Sequence, residues 1–337
     1  MKFRFYSPLI LAAAAVFIAG CSQTQQSSST PTQQVTLPPS SSGQSASNQA
    51  VFDYSAQTQQ GQTQSQQIMA VSTVSTNPST SIVGTTSSVN PEAFGPTQVQ
   101  FMSGPLHLVG YLSKPAGTGP FPTIIYNHGS EQNPNFNAPL FKYFVDNGYV
   151  VLEPIRRGDA GSEGQYIGDL TALARPVVRT RVVVDQLNAQ VNDVVAGLNY
   201  AKSLPYVDTN RLALMGCSYG GIETLLTAQS SGLGVKAAVD FAGASESWAG
   251  NELLRMALFR AVDTSTVPTY FLQAQNDYNT QPSIQLSGEA AKMQKTYDMK
   301  IYPAFGETSQ QGHGGFCLDG SSVWGTDVLS FLSKYLK

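Results

Sequence analysis

Arg211-Leu212-Ala213-Leu214-Met215-Gly216-Cys217-Ser218-Tyr219-Gly220-Gly221-Ile222 is the stretch that decides the fold. An apolar run stops at Met215, and a helix-spaced run (Ile222, Leu225, Leu226) starts shortly after it. Between them lies Gly216-x-Ser218-x-Gly220. A strand that turns this sharply into a helix needs small residues where the two approach, and it holds the central serine strained above the sheet edge. The helix start also turns free N–H groups and a positive dipole end toward the hydroxyl. Ser218 is therefore expected to be a nucleophile.

A serine hydroxyl reacts poorly until a base takes its proton. The chain has three histidines, His107, His128 and His313. His313 sits in Gln311-Gly312-His313-Gly314-Gly315, a predicted loop between the last strand and the last helix, with glycines expected to free the backbone on both sides. In a doubly wound sheet that loop opens at the carboxyl edge, as Ser218 does, so His313 is the expected base. His107 falls in a predicted edge strand and reads as a surface side chain, and His128 reads as shaping the loop after its strand. Asp277, in Gln275-Asn276-Asp277-Tyr278, is expected to orient the imidazole and stabilise its charged form. Asp240 and Asp319 are its rivals. Acyl transfer also needs donors for the developing oxyanion. Those expected are the backbone N–H of Tyr219 and that of Gly129 or Ser130.

Strands are expected at 97–101, 106–112, 123–126, 149–153, 211–215, 237–241, 269–273 and 299–302. Helices are expected at 140–147, 183–204, 222–229, 252–262, 284–295 and 323–336. This alternation argues right-handed crossovers and a mostly parallel sheet covered on both faces, with the first two strands added antiparallel at one edge. The stretch between strands 237–241 and 269–273 has room for one helix and not for a large cap. Phe136, Phe141, Trp248 and Trp324 read mainly as core packing.

Length alone suggests two domains for 337 residues. Composition argues otherwise. Residues 22–90 hold 45 Ser, Thr, Gln or Asn among 69, with Asp53 the only charge. Such a stretch cannot bury enough apolar surface to offset the entropy of ordering it. The expected organisation is a leader at 1–20, a disordered tether at 21–91 and one domain at 92–337. The net charge of −3, without a basic block in the body, excludes a phosphate-backbone binder and hence a nucleic-acid partner. Three cysteines exclude a disulfide-dense miniprotein and a four-Cys zinc site. No metal and no organic cofactor is expected.

Lys2 and Arg4 precede the apolar run 9–18, which suits a signal-peptide core better than a membrane span. It ends in Ile18-Ala19-Gly20-Cys21, which resembles the bacterial lipobox. That resemblance implies lipidation of Cys21, anchoring to a bilayer and, with Ser22 next, sorting to the outer membrane of the cell envelope.

The body from 95 to 337 resembles the α/β-hydrolase superfamily, in its dienelactone hydrolase and prolyl-oligopeptidase-like branch. Its carriers are Gly119-Pro120-Phe121-Pro122 through His128-Gly129, the Arg157-Gly158-x-x-Gly161-Ser162 loop and Asp208-x-x-Arg211 ahead of Gly216-x-Ser218-x-Gly220-Gly221. Asn276-Asp277 and Gly312-His313-Gly314 complete the set. The resemblance implies esterase-like hydrolysis. Dienelactone hydrolases proper carry Cys as nucleophile, whereas Ser218 is central here and Cys217 precedes it. Dienelactone is therefore not the expected substrate, and Cys217 should point into the sheet–helix packing. Tannases and feruloyl esterases join a Cys beside the Ser to a Cys beside the His. That analogy implies a Cys217–Cys317 bridge, with two buried reduced thiols as the other state left open.

The expected activity is that of a serine carboxylester hydrolase on a small-molecule or polymer ester. A prolyl-oligopeptidase-type peptidase and a non-catalytic envelope binding protein are the competing readings.

Overall fold

Apolar runs too short for helices build the middle of an eight-stranded sheet: β3 (Phe121–Asn127), β4 (Val150–Pro154), β5 (Val207–Cys217), β6 (Val235–Phe241) and β7 (Thr269–Ala274). β1 (Phe94–Ser103) and β2 (Leu106–Lys114) precede them, and β8 (Tyr297–Tyr302) closes the far edge. The structure, a computed structural model, describes residues 94–134 and 136–337. The leader, the tether and Cys21 lie outside the described residues. Among those described, no helix is long and apolar enough to cross a membrane.

The spatial order is β1-β2-β4-β3-β5-β6-β7-β8. β2 runs antiparallel to both β1 and β4, and the other pairings are parallel. Register brings the carboxyl ends into one row: Asn127 pairs with Gly216, Cys217 with Phe241, and Phe241 with Leu272. The loops after β3, β5, β6 and β7 therefore open side by side, as the alternation predicts.

Helices cover both faces. On one, α1 (Ala138–Asp146) and α8 (Ser321–Tyr335) pack Phe141, Phe144, Trp324 and Leu332 against Ala213, Met215, Val239 and Leu272. On the other lie α3 (Pro176–Lys202), α4 (Tyr219–Ala228), α5 (Glu252–Thr264) and α6 (Gln281–Lys292). Successive strand residues point to opposite faces, so Leu212 and Leu214 join the second layer while Ala213 and Met215 join the first. Trp324 is fully buried and its Nε1 donates to Phe316 O at 2.7 Å. Burial of each Leu- or Phe-sized side chain stabilises by about 1.5–3 kcal/mol. Trp248, Phe141 and Trp324 are core residues, and one helix, α5, lies between β6 and β7.

Three sequence expectations change. The helix expected from 183 begins at Pro176, whose missing N–H suits a first-turn position. Its first buried residue is Leu187, so the early turns carry no core-facing stripe from which to recognise them. A short helix, α2 (Ile167–Leu173), precedes it with no buried residue. The Gly-rich stretch expected as a loop winds into a π turn, Gln311–Gly315, and runs on into α7 (Phe316–Asp319). His107 is exposed as expected, but β2 is the second strand from the edge. The segment after β4 flanks it there, with Glu163 N donating to His107 O at 2.9 Å.

Candidate active site

Ser218 stands between β5 and α4 with φ 57° and ψ −116°, a conformation that L side chains rarely adopt. Holding it costs on the order of 1–3 kcal/mol, supplied by the surrounding packing. Its N–H donates to Phe241 O at 2.8 Å, and its carbonyl accepts from Ile222 N at 3.2 Å. A methyl group at Gly216 would meet Gly220 O, and one at Gly220 would meet the carbonyls of Asn127 and His128. Closeness of backbones is thus why glycine is required at both places.

The structure brings the three distant side chains into one hydrogen-bonded row. His313 Nε2 lies 2.8 Å from Ser218 Oγ, and Nδ1 lies 2.9 and 3.0 Å from the two oxygens of Asp277. His313 and Asp277 are buried and Ser218 is half-buried. The glycine before His313 serves a purpose other than the flexibility expected of it. Gly312 packs so closely on Asn276 that a side chain would collide with it, and this contact seats His313 beside Asp277. Asn276 itself ties the loop down, its Nδ2 donating to Phe305 O at 3.1 Å and Thr308 O at 3.0 Å.

The Asp277 carboxylate accepts from Ser245 Oγ at 2.6 Å, Gln273 Nε2 at 2.9 Å and Tyr278 N at 2.6 Å. Fixed donors of this kind hold an acid in the orientation its imidazole partner needs. The rivals are elsewhere: Asp240 accepts from Gly243 N at 2.9 Å, and Asp319 is exposed on α7. Tyr278 is half-exposed and stands edge-on to the His313 ring, with centroids 5.4 Å apart. Sequence reading passed over Ser245, Gln273 and Tyr278. Only Gln273 leaves a trace there, a polar residue at the end of an apolar strand.

Tyr219 begins α4, where backbone N–H groups lack intrahelical acceptors. The loop that carries Gly129 and Ser130 leaves β3 directly across the close approach at Gly220. His128 is buried there, and burial together with the nearby Arg156 guanidinium holds its pKa well below the usual imidazole value. A neutral ring in that loop fits a shaping residue and not a base.

Cys217, immediately before Ser218, is bonded to Cys317, four residues past His313, with Cα atoms 5.9 Å apart. Both sulfurs lie in the layer under α1 and α8, so Cys217 points into the packing as expected. Among the described residues no group of three or more His, Cys, Asp or Glu is arranged to hold a metal ion.

Over 142 residues the chain is 31% identical to the quorum-quenching protein AidA of Acinetobacter baumannii, a match covering 42% of each chain. It is 25% identical over 147 residues to the uncharacterized peptidase YtmA of Bacillus subtilis, covering 43% of this chain and 50% of that one. The chain thus spans half or less of the length of these relatives. Among solved structures, Pyrococcus horikoshii acylaminoacyl peptidase superposes with a TM-score of 0.56 at 18% identity, over 73% of this chain and 42% of that one. The sequence profile of the dienelactone hydrolase family matches residues 108–322, from β2 into α8. A match of that extent spans the loops after β3, β5 and β7 and the turn bearing His313, and it makes this chain a member of the dienelactone hydrolase family.

Proposed function

We propose that the protein is a serine carboxylester hydrolase working through an acyl-enzyme intermediate. The observation that carries this reading is the 2.8 Å contact between Ser218 Oγ and His313 Nε2, with Asp277 behind Nδ1. Ser218 Oγ attacks the ester carbonyl as His313 Nε2 takes its proton. Asp277 holds the tautomer and stabilises the imidazolium. The N–H of Tyr219 and one of the N–H groups of Gly129 and Ser130 receive the oxyanion. His313 then protonates the departing alcohol, and it activates the water that releases the acid. The lipobox-like ending at Cys21 supports work in the cell envelope on a bilayer anchor, reached through the Ser/Thr/Gln-rich segment.

A fluorophosphonate probe tests the core of the reading, because it labels only an activated serine. Wild-type protein is expected to be labelled, and Ser218→Ala is expected to lose both labelling and p-nitrophenyl ester hydrolysis. Unlabelled wild type, or equal labelling of the variant, would favour a binding protein on the same fold.

A peptidase is the second reading, favoured by the similarity to YtmA, which is named as one. Parallel assays on p-nitrophenyl acyl esters and aminoacyl p-nitroanilides separate the two. Faster cleavage of esters is expected, and much faster amide cleavage reverses the order.

A further inference from the structure

Arg156 follows β4 and is almost wholly buried. A guanidinium carries five N–H donors in a rigid planar fork and accepts nothing. Here each donor has a partner. Nε donates to Asp159 Oδ2 at 2.8 Å. Nη1 donates to Glu223 Oε2 at 2.6 Å and to His128 O at 3.1 Å. Nη2 donates to Gly129 O and to His128 Nδ1, the latter at 2.7 Å. His128 Nδ1 also lies 3.1 Å from Gly129 O, but arginine can only donate, so the shorter contact to the guanidinium is a hydrogen bond only with that nitrogen unprotonated. The guanidinium carbon also lies 4.6 Å from the centre of the Tyr219 ring.

Two of these partners are consecutive carbonyls, of residues 128 and 129. In a trans peptide the N–H of the next residue points opposite the carbonyl. Drawing both carbonyls inward onto a buried cation therefore turns the N–H groups of Gly129 and Ser130 outward. The same cation rests on the ring of Tyr219, the residue whose own N–H opens α4, and is anchored to Glu223 one turn further along that helix. One side chain thus fixes both segments that supply the oxyanion donors.

We infer that Arg156 is the positioning residue of the oxyanion site, aiming the N–H groups of Gly129 and Ser130 against that of Tyr219. The inference rests on the serine-hydrolase reading and extends it to a residue that never meets substrate. Lysine keeps the charge but has neither the planar fork nor the second nitrogen that reaches Gly129 O. Loss of one oxyanion donor lowers kcat by about 100-fold or more.

The test uses Arg156→Lys, with active sites titrated by fluorophosphonate so that misfolded molecules are not counted. Expected are a fall of about 100-fold in kcat per titrated serine, KM within about threefold of wild type, and weaker inhibition by an alkylboronic acid in proportion to kcat. Boronate adducts place an oxygen where the oxyanion forms, so a merely structural role would leave inhibition of the titrated sites unchanged. A folded Arg156→Lys with kcat per site within threefold of wild type overturns the inference. Should that variant not fold, Tyr219→Leu removes the ring beneath the guanidinium and leaves the backbone N–H in place. It is expected to lower kcat about tenfold without a matching rise in KM, and unchanged kcat overturns the inference. Failure of wild type to be labelled at all is a different result, because it removes the serine-hydrolase reading itself.

Discussion

Asp240 and Asp277 stand at the carboxyl ends of neighbouring strands, and their surroundings set them apart. Asp277 accepts from Ser245, Gln273 and its neighbour's backbone, and faces the imidazole. Asp240 accepts from Gly243 N, while its Oδ2 is buried without a hydrogen-bond partner among the described residues. Burial pushes the Asp240 pKa up to about 7, and burial with the nearby Glu131 pushes Glu153 to about 8. A carboxyl raised in the folded state binds more protons there than in the unfolded chain. Its stabilising contribution is therefore complete below the ordinary carboxylate pKa and is lost as pH rises through the folded value. These carboxyls should make stability by urea unfolding lower at pH 8 than at pH 5, by about 1.4 kcal/mol for each pKa unit of difference that is titrated. His128 opposes this in part, because its lowered pKa adds stability as pH rises through the ordinary imidazole value. Asp240→Asn should flatten that slope and gain on wild type as pH rises. Parallel pH profiles for the two proteins would contradict the assignment.

At the scale of elements, the turn from β5 into α4 is fixed by what cannot fit there. A methyl group at Gly220 would fall 1.9 Å from Asn127 O, a backbone atom held in the sheet by β3. Gly220→Ala is expected to lower stability by about 3 kcal/mol, the upper range for overpacking, and to reduce esterase activity by displacing the loop after β3. Chemical denaturation and kcat measured together check this, and a variant as stable and active as wild type refutes the close approach. This turn was legible because its constraints are local: an apolar strand, two glycines, a serine and a helix within a dozen residues. The order Ser218, Asp277, His313 could be read for a related reason, since each follows a recognisable strand. Arg156 could not be read, because its five acceptors come from four residues spread between 128 and 223. The π turn at 311–315 was missed because glycine-rich sequence carries no periodicity by which to detect it. Ser245 and its bond to Asp277 span 32 residues and leave no local signal.

For the whole molecule, the bond between Cys217 and Cys317 joins points 100 residues apart in the chain. Loop-entropy arithmetic gives such a bond about 4.7 kcal/mol as an upper figure. Alkylation of the unfolded, unreduced protein should leave both cysteines unmodified, and reduction should lower the melting temperature and the ester hydrolysis rate together. Two alkylated thiols, or full activity with an unchanged melting temperature after reduction, would contradict that role. Ser218, Asp277 and His313 all fall between the two bonded positions, so the three side chains of the hydrogen-bonded row share one covalent ring while β1 to β4 lie outside it. A protease that nicks the ring once, in any of its surface loops, opens the circle but releases no fragment. The severed halves would stay tethered until a reductant parts them.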